Sequence, residues 1–159
     1  MAGLTLERTA RNVARVTREF SATPSQVFEA HVNPDLLRQW LVGPEGWTMT
    51  ECINDARVGG AIRYVWHEAA SGHGFHLTGR FLAIERPNLI LHVEQMHLPD
   101  PTPENRVETR FSASGKGTLM VMTMTLPDAA TLDAMLATGM TGGMETSYQR
   151  LEASLPFKR

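Results

Sequence analysis

Apolar residues change their spacing twice along the chain, which predicts a strand, a pair of helices, a run of strands and a final helix. From Asn12 to Phe20 apolar and polar residues alternate as in a β-strand, with Arg18 as an exception on the apolar side. Thr23 can cap a helix that begins at Pro24, and a second short helix is predicted from Pro34 to Leu41. One strand followed by two consecutive helices is an uncommon order of elements.

The segment from Trp47 to Leu126 has the pattern of an antiparallel meander. Turn-forming residues divide it at intervals typical of hairpins. A long helix is then predicted from Ala129 to about Leu155, with Asp128 as its cap. Glycines in the middle of that helix weaken it in isolation, so it requires a sheet to pack on. The six strands are predicted at Trp47 to Asn54, Ala61 to Glu68, Gly74 to Ile84, Leu89 to Met96, Arg106 to Ala113 and Thr118 to Leu126.

One hairpin can be predicted residue by residue. A four-residue turn at 69–72 pairs Trp66 with Phe75, Tyr64 with Leu77 and Ile62 with Gly79. The large apolar residues then share one face, and polar residues occupy the other, which is typical of a sheet with one solvated side. The residues predicted on the solvated side are Arg63, Val65, His67, His76 and Thr78.

The facing of two other strands matters for the interior. Met120, Met122 and Met124 alternate on the last strand, and we assign them to the inner face. His92 and Glu94 share one face of their own strand, but the pattern leaves open which face that is. A tight turn at 86–88 and a bulge there would give opposite results.

Composition indicates a single soluble domain, which we expect to cover residues 10–159 after a flexible end at 1–9. The chain has 159 residues, 42% hydrophobic and 20% charged. A net charge of -2 provides no overall basic field, so neither nucleic acid nor an acidic membrane is an expected partner. Cys52 is the single cysteine, which excludes an internal disulfide and a multi-cysteine zinc site and favours a reducing, cytoplasmic location. No apolar run has the length of a membrane span, and no signal peptide is recognisable.

Residues 33–66 resemble the signature of the START-like, SRPBCC superfamily, in the branch named for the C-terminal domain of the activator of heat-shock protein 90 ATPase. The match continues over nearly the whole chain. One departure lies in the final helix, where Gly143-Met144 stands in place of a frequent Gly-Trp pair. The residues that carry the resemblance are Pro34, Leu37, Trp40, the run 43–46, Asp55, Arg57, Gly59, Gly60, Gly79, Phe81 and Ile84.

The resemblance implies the α+β helix-grip fold, as in START-like proteins and the birch-pollen allergen. A curved antiparallel sheet of about seven strands would wrap a long C-terminal helix, with a cavity between them. The expected order is one strand, two helices, six strands and the helix. Its cavity would hold a small hydrophobic or aromatic molecule, with Tyr64 and Tyr148 orienting it. The lining residues would be Trp40, Tyr64, Trp66, Phe75, Leu77, Phe81, Met120, Met122, Met124, Met140, Met144 and Tyr148.

Other interpretations of the same residues stay open. The methionines can equally be the filler of a plain core. Tyr64, His92, Glu94 and Glu108 can serve acid–base chemistry if they point into the cavity, which would make the protein a cyclase-, aromatase- or hydrolase-like enzyme. A third alternative is a protein-interaction module, with a homodimer as one form of it.

No cofactor or metal is expected, and most other polar motifs have structural explanations. Neither a phosphate-binding loop nor a dinucleotide fingerprint occurs. His67, His73 and His76 cluster around one hairpin, but the predicted pairing puts His67 and His76 outside, as solvated strand residues. Asp55 and Arg57 are interpreted as a bridge that fixes the turn at Gly59 and Gly60. Trp40, Trp47 and the loop at 43–46 would form a lid at the cavity mouth, and packing alone explains them almost as well.

Overall fold

The fold is one eight-stranded antiparallel sheet with four helices, seen in a computed structural model that describes residues 3–115 and 117–154. The strands lie in the order β1-β2-β8-β7-β6-β5-β4-β3, so β1 and β3 are the edges. The elements are β1 (Thr5–Ala10), β2 (Val13–Phe20), α1 (Pro24–Val32), α2 (Pro34–Trp40), β3 (Trp47–Asn54), β4 (Ala61–Glu68), β5 (Gly74–Glu85), β6 (Leu89–His97), β7 (Asn105–Ser114), β8 (Gly117–Thr125), α3 (Ala129–Leu136) and α4 (Met140–Ser154).

The predicted architecture is confirmed as a curved antiparallel sheet with helices, but the strand count was wrong by one. The additional strand is β1, which falls in the segment expected to be flexible and pairs with β2, Leu6 opposite Val16. Five of its six residues are exposed, so apolar and polar positions do not alternate. An exposed edge strand held by backbone hydrogen bonds gives no hydrophobic signal.

The prediction of a single long C-terminal helix was also wrong, because two helices, α3 and α4, cover that segment. The chain turns at Gly139, whose φ of 77° lies in the left-handed region that favours glycine. Asp128 caps α3 as predicted, since its side chain accepts a hydrogen bond from the backbone N–H of Thr131. The predicted end of the helix at Leu155 lies outside the described residues.

The predicted hairpin between β4 and β5 has the expected register. Trp66 pairs with Phe75, Tyr64 with Leu77 and Ile62 with Gly79. Ile62, Tyr64, Trp66 and Leu77 are buried, so this face of the sheet is the inner one.

Two short helices close one end of the sheet, and their boundaries follow the capping residues. Thr23 and Gln26 form a reciprocal capping box at the start of α1. Asn33 ends α1 and caps α2, since its side chain accepts a hydrogen bond from the N–H of Asp35. Helix α2 then places Trp40 against α4, where it stacks on Tyr148 with ring centroids 5.8 Å apart.

Gly79 is required by a close approach between β5 and β6. A Cβ atom at this position would lie 2.3 Å from the backbone oxygen of Val93. A bulge follows immediately, because the register with β6 shifts between Phe81 and Ala83. Bulges bend a strand and increase its twist, so this part of β5 contributes to the curvature of the sheet.

We expect Gly79→Ala to lower the free energy of unfolding by about 1–3 kcal/mol, because the added methyl group meets backbone that must move. Gly142→Ala is the matched control, since a Cβ at this position in α4 meets nothing within 4 Å. That change should raise stability by about 0.5–1 kcal/mol. Urea denaturation of both variants measures the difference. Equal stability of Gly79→Ala and the unchanged protein would contradict the close approach.

Candidate functional site

Three polar side chains, from β3, β6 and β7, lie in one row of paired residues across the inner face of the sheet. Successive strand pairings connect Asn54 on β3, Ile62 on β4, Gly79 on β5, Glu94 on β6 and Asn105 on β7. We call these five residues the polar row. Because Gly79 has no side chain, nothing from β5 projects between Ile62 and Glu94 within the row.

His92 and Glu94 face inward, which settles the facing that the sequence leaves open. His92 lies opposite Phe81 on one side and Val107 on the other, and both of these partners are buried. The bulge between Phe81 and Ala83 brings the two residues to this face. His92 Nε2 lies 2.7 Å from Glu94 Oε1, and their side chains keep only 17% and 24% of their accessible surface.

Tyr64 stands beside the polar row and stays protonated at neutral pH. Its hydroxyl oxygen accepts a hydrogen bond from Asn54 Nδ2. Burial raises the pKa of Tyr64, and the nearby carboxylate of Glu94 adds to the rise. Burial likewise raises the pKa of Tyr148 on α4, again with a contribution from Glu94. The Glu94 charge therefore acts on tyrosines of both walls of the interior.

His31 on α1 is a second inward histidine. Its ring lies 5.0 Å from both Trp40 and Phe111, measured between centroids. Nδ1 lies 2.7 Å from the carbonyl oxygen of Val27, so this nitrogen carries the proton and donates it. Burial lowers the pKa of His31 to about 4, with the hydrogen bond to Val27 opposing the shift and the nearby His92 adding to it. The ring is therefore neutral at pH 7.

Four buried side-chain atoms in the described part of the chain have no hydrogen-bond partner there. They are His31 Nε2, Asn54 Oδ1, His92 Nδ1 and Asn105 Oδ1. Asn54 and Asn105 belong to the polar row, and His92 is bonded to it through Glu94. Buried polar atoms are normally paired, because leaving one unpaired costs about 1–3 kcal/mol. Unpaired groups on this face are therefore candidates for ligand contact.

Comparison with known proteins identifies the family. The model of the family described as Activator of Hsp90 ATPase homolog 1-like protein matches residues 21–155. The chain belongs to this family. The resemblance stated from residues 33–66 is thereby confirmed, and the family's fold is consistent with the START-like, SRPBCC superfamily. No match was found among curated proteins.

Solved structures of bacterial proteins are similar over almost the entire chain. A Rhodobacter sphaeroides protein is 32% identical, with 96% of this chain and 97% of that chain covered and a TM-score of 0.90. A Mycobacterium smegmatis protein shares the fold at 20% identity, with coverage of 98% and 99% and a TM-score of 0.84. An AHSA1-like protein from Aeromonas hydrophila is 21% identical, with coverage of 91% and 97% and a TM-score of 0.71.

The residues predicted to line a cavity in this family member lie inside, distributed over two apolar clusters. Phe75, Met122 and Met144 are half-buried at the margin of the first cluster, whereas Met124 belongs to the second and Met140 packs against it. Met122 and Met144 contact both clusters. The core of the first cluster includes Trp40, Tyr64, Trp66, Leu77, Phe81, Met120 and Tyr148.

The residues predicted to form a lid pack against that first cluster. Trp40 is 3% exposed, and its indole N–H donates to the carbonyl oxygen of Ala30. Trp47 packs its ring on Phe75. Arg150 on α4 donates to the carbonyl oxygen of Gly43 at 2.6 Å, which ties the loop at 43–46 to the helix. These contacts are those of packing residues at one end of the interior.

The remaining polar motifs lie outside the interior. His67 is exposed and bonded to Thr50, and His76 stacks on His97 on the same outer face. Arg57 bonds Asp55 at 2.8 Å, as predicted for a structural bridge. Within residues 3–115 and 117–154, no group of three or more metal-ligating side chains is arranged to hold an ion. No helix in that part of the chain is long and apolar enough to cross a membrane.

Two candidate groups for acid–base chemistry do not join the inward pair. Glu108 bonds Arg110 at 2.8 Å, and the side chains keep 40% and 60% of their accessible surface. Tyr64 bonds Asn54 and, in the described structure, forms no hydrogen bond with His92 or Glu94. The convergence of Tyr64 with the pair, which an enzyme of the predicted kind requires, is absent among the described contacts.

The sequence did not reveal Arg18 as a buried charge with a partner. Its guanidinium bonds both carboxylate oxygens of Glu145 at 3.0 Å, and Glu145 also accepts from the N–H of Leu4. The hydrogen bond from Arg18 holds the pKa of Glu145 below its usual value. A cleft of about 430 Å³ lies over this pair, bordered by Gly3 and Glu152. Arg18 therefore joins β2 to α4.

The sequence also missed His31, Asn54 and Asn105 as inward polar groups. Asn54 ends its predicted strand, and Asn105 directly precedes the strand predicted to begin at Arg106. Their shared row depends on the register of five strands. The pairing of Asn54 with Ile62 belongs to the β3–β4 hairpin, whose register does not follow from that of β4 and β5. No local signal existed for Asn105 either.

We expect His31 to make the protein less stable as the pH falls below 6.5. The unfolded chain takes up a proton near pH 6.5, whereas the folded protein does so only near pH 4, so stability is lost across this window. At about pH 4.5 the loss should reach about 2–3 kcal/mol. Urea denaturation at about pH 7 and about pH 4.5 measures it.

The variant His31→Leu removes this titration, so it should lose about 2–3 kcal/mol less stability than the unchanged protein between the two pH values. His67→Leu, at an exposed position on the outer face, is the control and should keep the full pH dependence. An identical pH dependence in His31→Leu and the unchanged protein would refute the neutral buried state.

Proposed function

We propose that this protein binds a small, largely apolar or aromatic molecule between the inner face of the sheet and α4. The observation that carries the proposal is the inward-facing pair His92 and Glu94, set in a wall that is otherwise mainly apolar. A carboxylate and an imidazole enclosed in this way have lost much of their hydration. Stability alone does not favour such a pair over two apolar side chains. A role in contacting a bound molecule explains why they face inward.

The composition of the walls supports an apolar ligand. Met122 and Met144 contact both apolar clusters, and Met135 and Met140 pack against the second. Methionine side chains are flexible and polarisable, so they can rearrange around bound molecules of different shape. Aromatic rings of Trp40 and Tyr148 form the opposite end of the interior.

The C-terminal helices offer a route into this interior. Among the residues of α3, only Leu132 is buried. Gly139 joins α3 to α4 through a left-handed turn, so the two helices are separate elements. We propose that displacement of α3, together with Met135 and Met140, admits the ligand.

An acid–base enzyme is the second candidate, favoured by one feature only. Glu94 holds His92 by a 2.7 Å hydrogen bond, as a carboxylate orients a catalytic imidazole. Tyr64 does not join them, so a separate group to polarise a substrate oxygen is lacking among the described contacts. This leaves binding as the better-supported function.

A protein-interaction role has weaker support in the described surface. The exposed large apolar side chains there are Ile53, Val58 and Leu98, which belong to three separate segments. The outer face of β7 carries Arg106, Glu108 and Arg110. A continuous apolar patch, which such a role requires, is not formed by strand residues of this charge.

The test uses N-phenyl-1-naphthylamine, a neutral probe whose fluorescence rises in apolar surroundings. We expect saturable binding to the unchanged protein. Met122→Trp should weaken it at least about tenfold, because the larger side chain would occupy the region where the two clusters meet. Titration of the probe into each protein measures the dissociation constants.

Val121→Trp is the matched control, because Val121 precedes Met122 on β8 and points to the outer face, opposite Thr17 and Arg110. Its affinity should equal that of the unchanged protein. Thermal denaturation verifies that both variants fold. A fluorescence signal that never saturates, or equal affinity in Met122→Trp, would overturn the proposed binding site.

A further inference from the structure

The unpaired buried atoms of the interior share one chemical property, since all four accept hydrogen bonds. Asn54 Oδ1 and Asn105 Oδ1 are amide oxygens, which only accept. His31 Nε2 accepts because the Nδ1 proton of the same ring is donated to Val27. In the neutral form of His92, Nε2 donates to the carboxylate of Glu94 and Nδ1 accepts, because a neutral imidazole carries a single proton.

We propose that the site selects ligands that carry a hydrogen-bond donor, namely a phenolic or enolic hydroxyl on an aromatic or similarly apolar body, with the hydroxyl directed at His92 Nδ1. This inference rests on the proposed function and specifies the class of molecule that the same site takes. A donor satisfies an acceptor that otherwise stays unpaired in the interior, so binding recovers the cost of that buried atom.

Glu94 fixes which nitrogen of His92 meets the ligand. A carboxylate can only accept, so it holds the proton on Nε2 and leaves Nδ1 as the acceptor. Asn105 lies opposite Glu94 in the polar row and turns a second acceptor to the same face. A ligand hydroxyl therefore meets acceptors from two neighbouring strands.

The surroundings of His92 favour a flat, apolar ligand body. Phe81 lies opposite it on β5, with ring centroids 6.3 Å apart. On the other side, His92 pairs with Val107 on β7, and Val107 in turn pairs with Met124 on β8. These contacts offer an aromatic ring and flexible apolar groups, which suit the face of an aromatic molecule.

The same arrangement disfavours anions and molecules that only accept. A ligand carboxylate would lie close to the charge of Glu94 and to the oxygen of Asn105, and it has no proton to donate to either of them. Like charges in a poorly hydrated site repel strongly, so an acid should be rejected even when its apolar body fits.

The experiment compares four molecules that share one ring system: 1-naphthol, naphthalene, 1-methoxynaphthalene and 1-naphthoate. Each displaces N-phenyl-1-naphthylamine from the unchanged protein at neutral pH. If the site did not select for a hydrogen-bond donor, naphthalene would bind at least as tightly as the more polar 1-naphthol. We expect the reverse, with 1-naphthol binding about tenfold more tightly than naphthalene or its methyl ether and 1-naphthoate binding most weakly.

His92→Phe removes the acceptor and keeps a planar ring, so the ratio of the affinities for 1-naphthol and naphthalene should fall to about one or below. His67→Phe, on the outer face, is the control and should keep the full preference. Denaturation checks that each variant folds. If His92→Phe does not fold, the ranking on the unchanged protein still decides the matter.

The outcomes separate this inference from the proposed function. Displacement by naphthalene and 1-naphthol with equal affinity would keep the binding site but overturn the donor preference. Tightest binding of 1-naphthoate would also overturn it, because the inward groups would then act as donors. Failure of the probe and of all four molecules to bind would overturn the proposed function and this inference together.

Discussion

The arrangement of the interior depends on a short stretch of β5 where the strand departs from regular pairing. Gly79 allows the backbone of β6 to approach closer than any side chain permits. The extra residue between Phe81 and Ala83 then shifts the register with β6. Successive side chains of a strand point to opposite faces of the sheet. One extra residue in β5, counted from the turn between β5 and β6, therefore decides which face His92 and Glu94 occupy. The curvature of the sheet and the polarity of its inner face therefore both depend on this short stretch of β5.

Two kinds of polar group are buried in the apolar interior, and they differ in whether all of their hydrogen-bonding atoms have partners. Arg18 is buried but bonds both oxygens of Glu145, so it ties β2 to α4 and needs no further partner. His92, by contrast, bonds Glu94 through one nitrogen and leaves the other unpaired. The first arrangement is what a structural ion pair requires, whereas the second retains binding capacity. This difference is why the proposed ligand contact is assigned to His92.

The sequence predicted those parts of the fold whose signal is local. Trp66 opposite Phe75 follows from a short turn and alternating residues, and Thr23 from capping chemistry. Strand β1 was missed because an exposed edge strand needs no apolar face. The break at Gly139 depends on a backbone conformation that glycine permits but does not dictate. The polar row depends on the register of five strands, so distant residues meet there without any shared sequence motif.

In the proposed site, a rigid polar contact and an adaptable apolar wall would serve different purposes. Backbone pairing holds Glu94 on both sides and Asn105 on the β6 side, so their positions would change little on ligand binding. Met140 and Met144, on a helix that follows Gly139, can adjust. In the proposed site, fixed acceptors would supply discrimination, because a ligand without a donor leaves them unpaired. The flexible wall would supply affinity through buried area, so that selectivity for a polar group and tolerance of ligand shape would coexist.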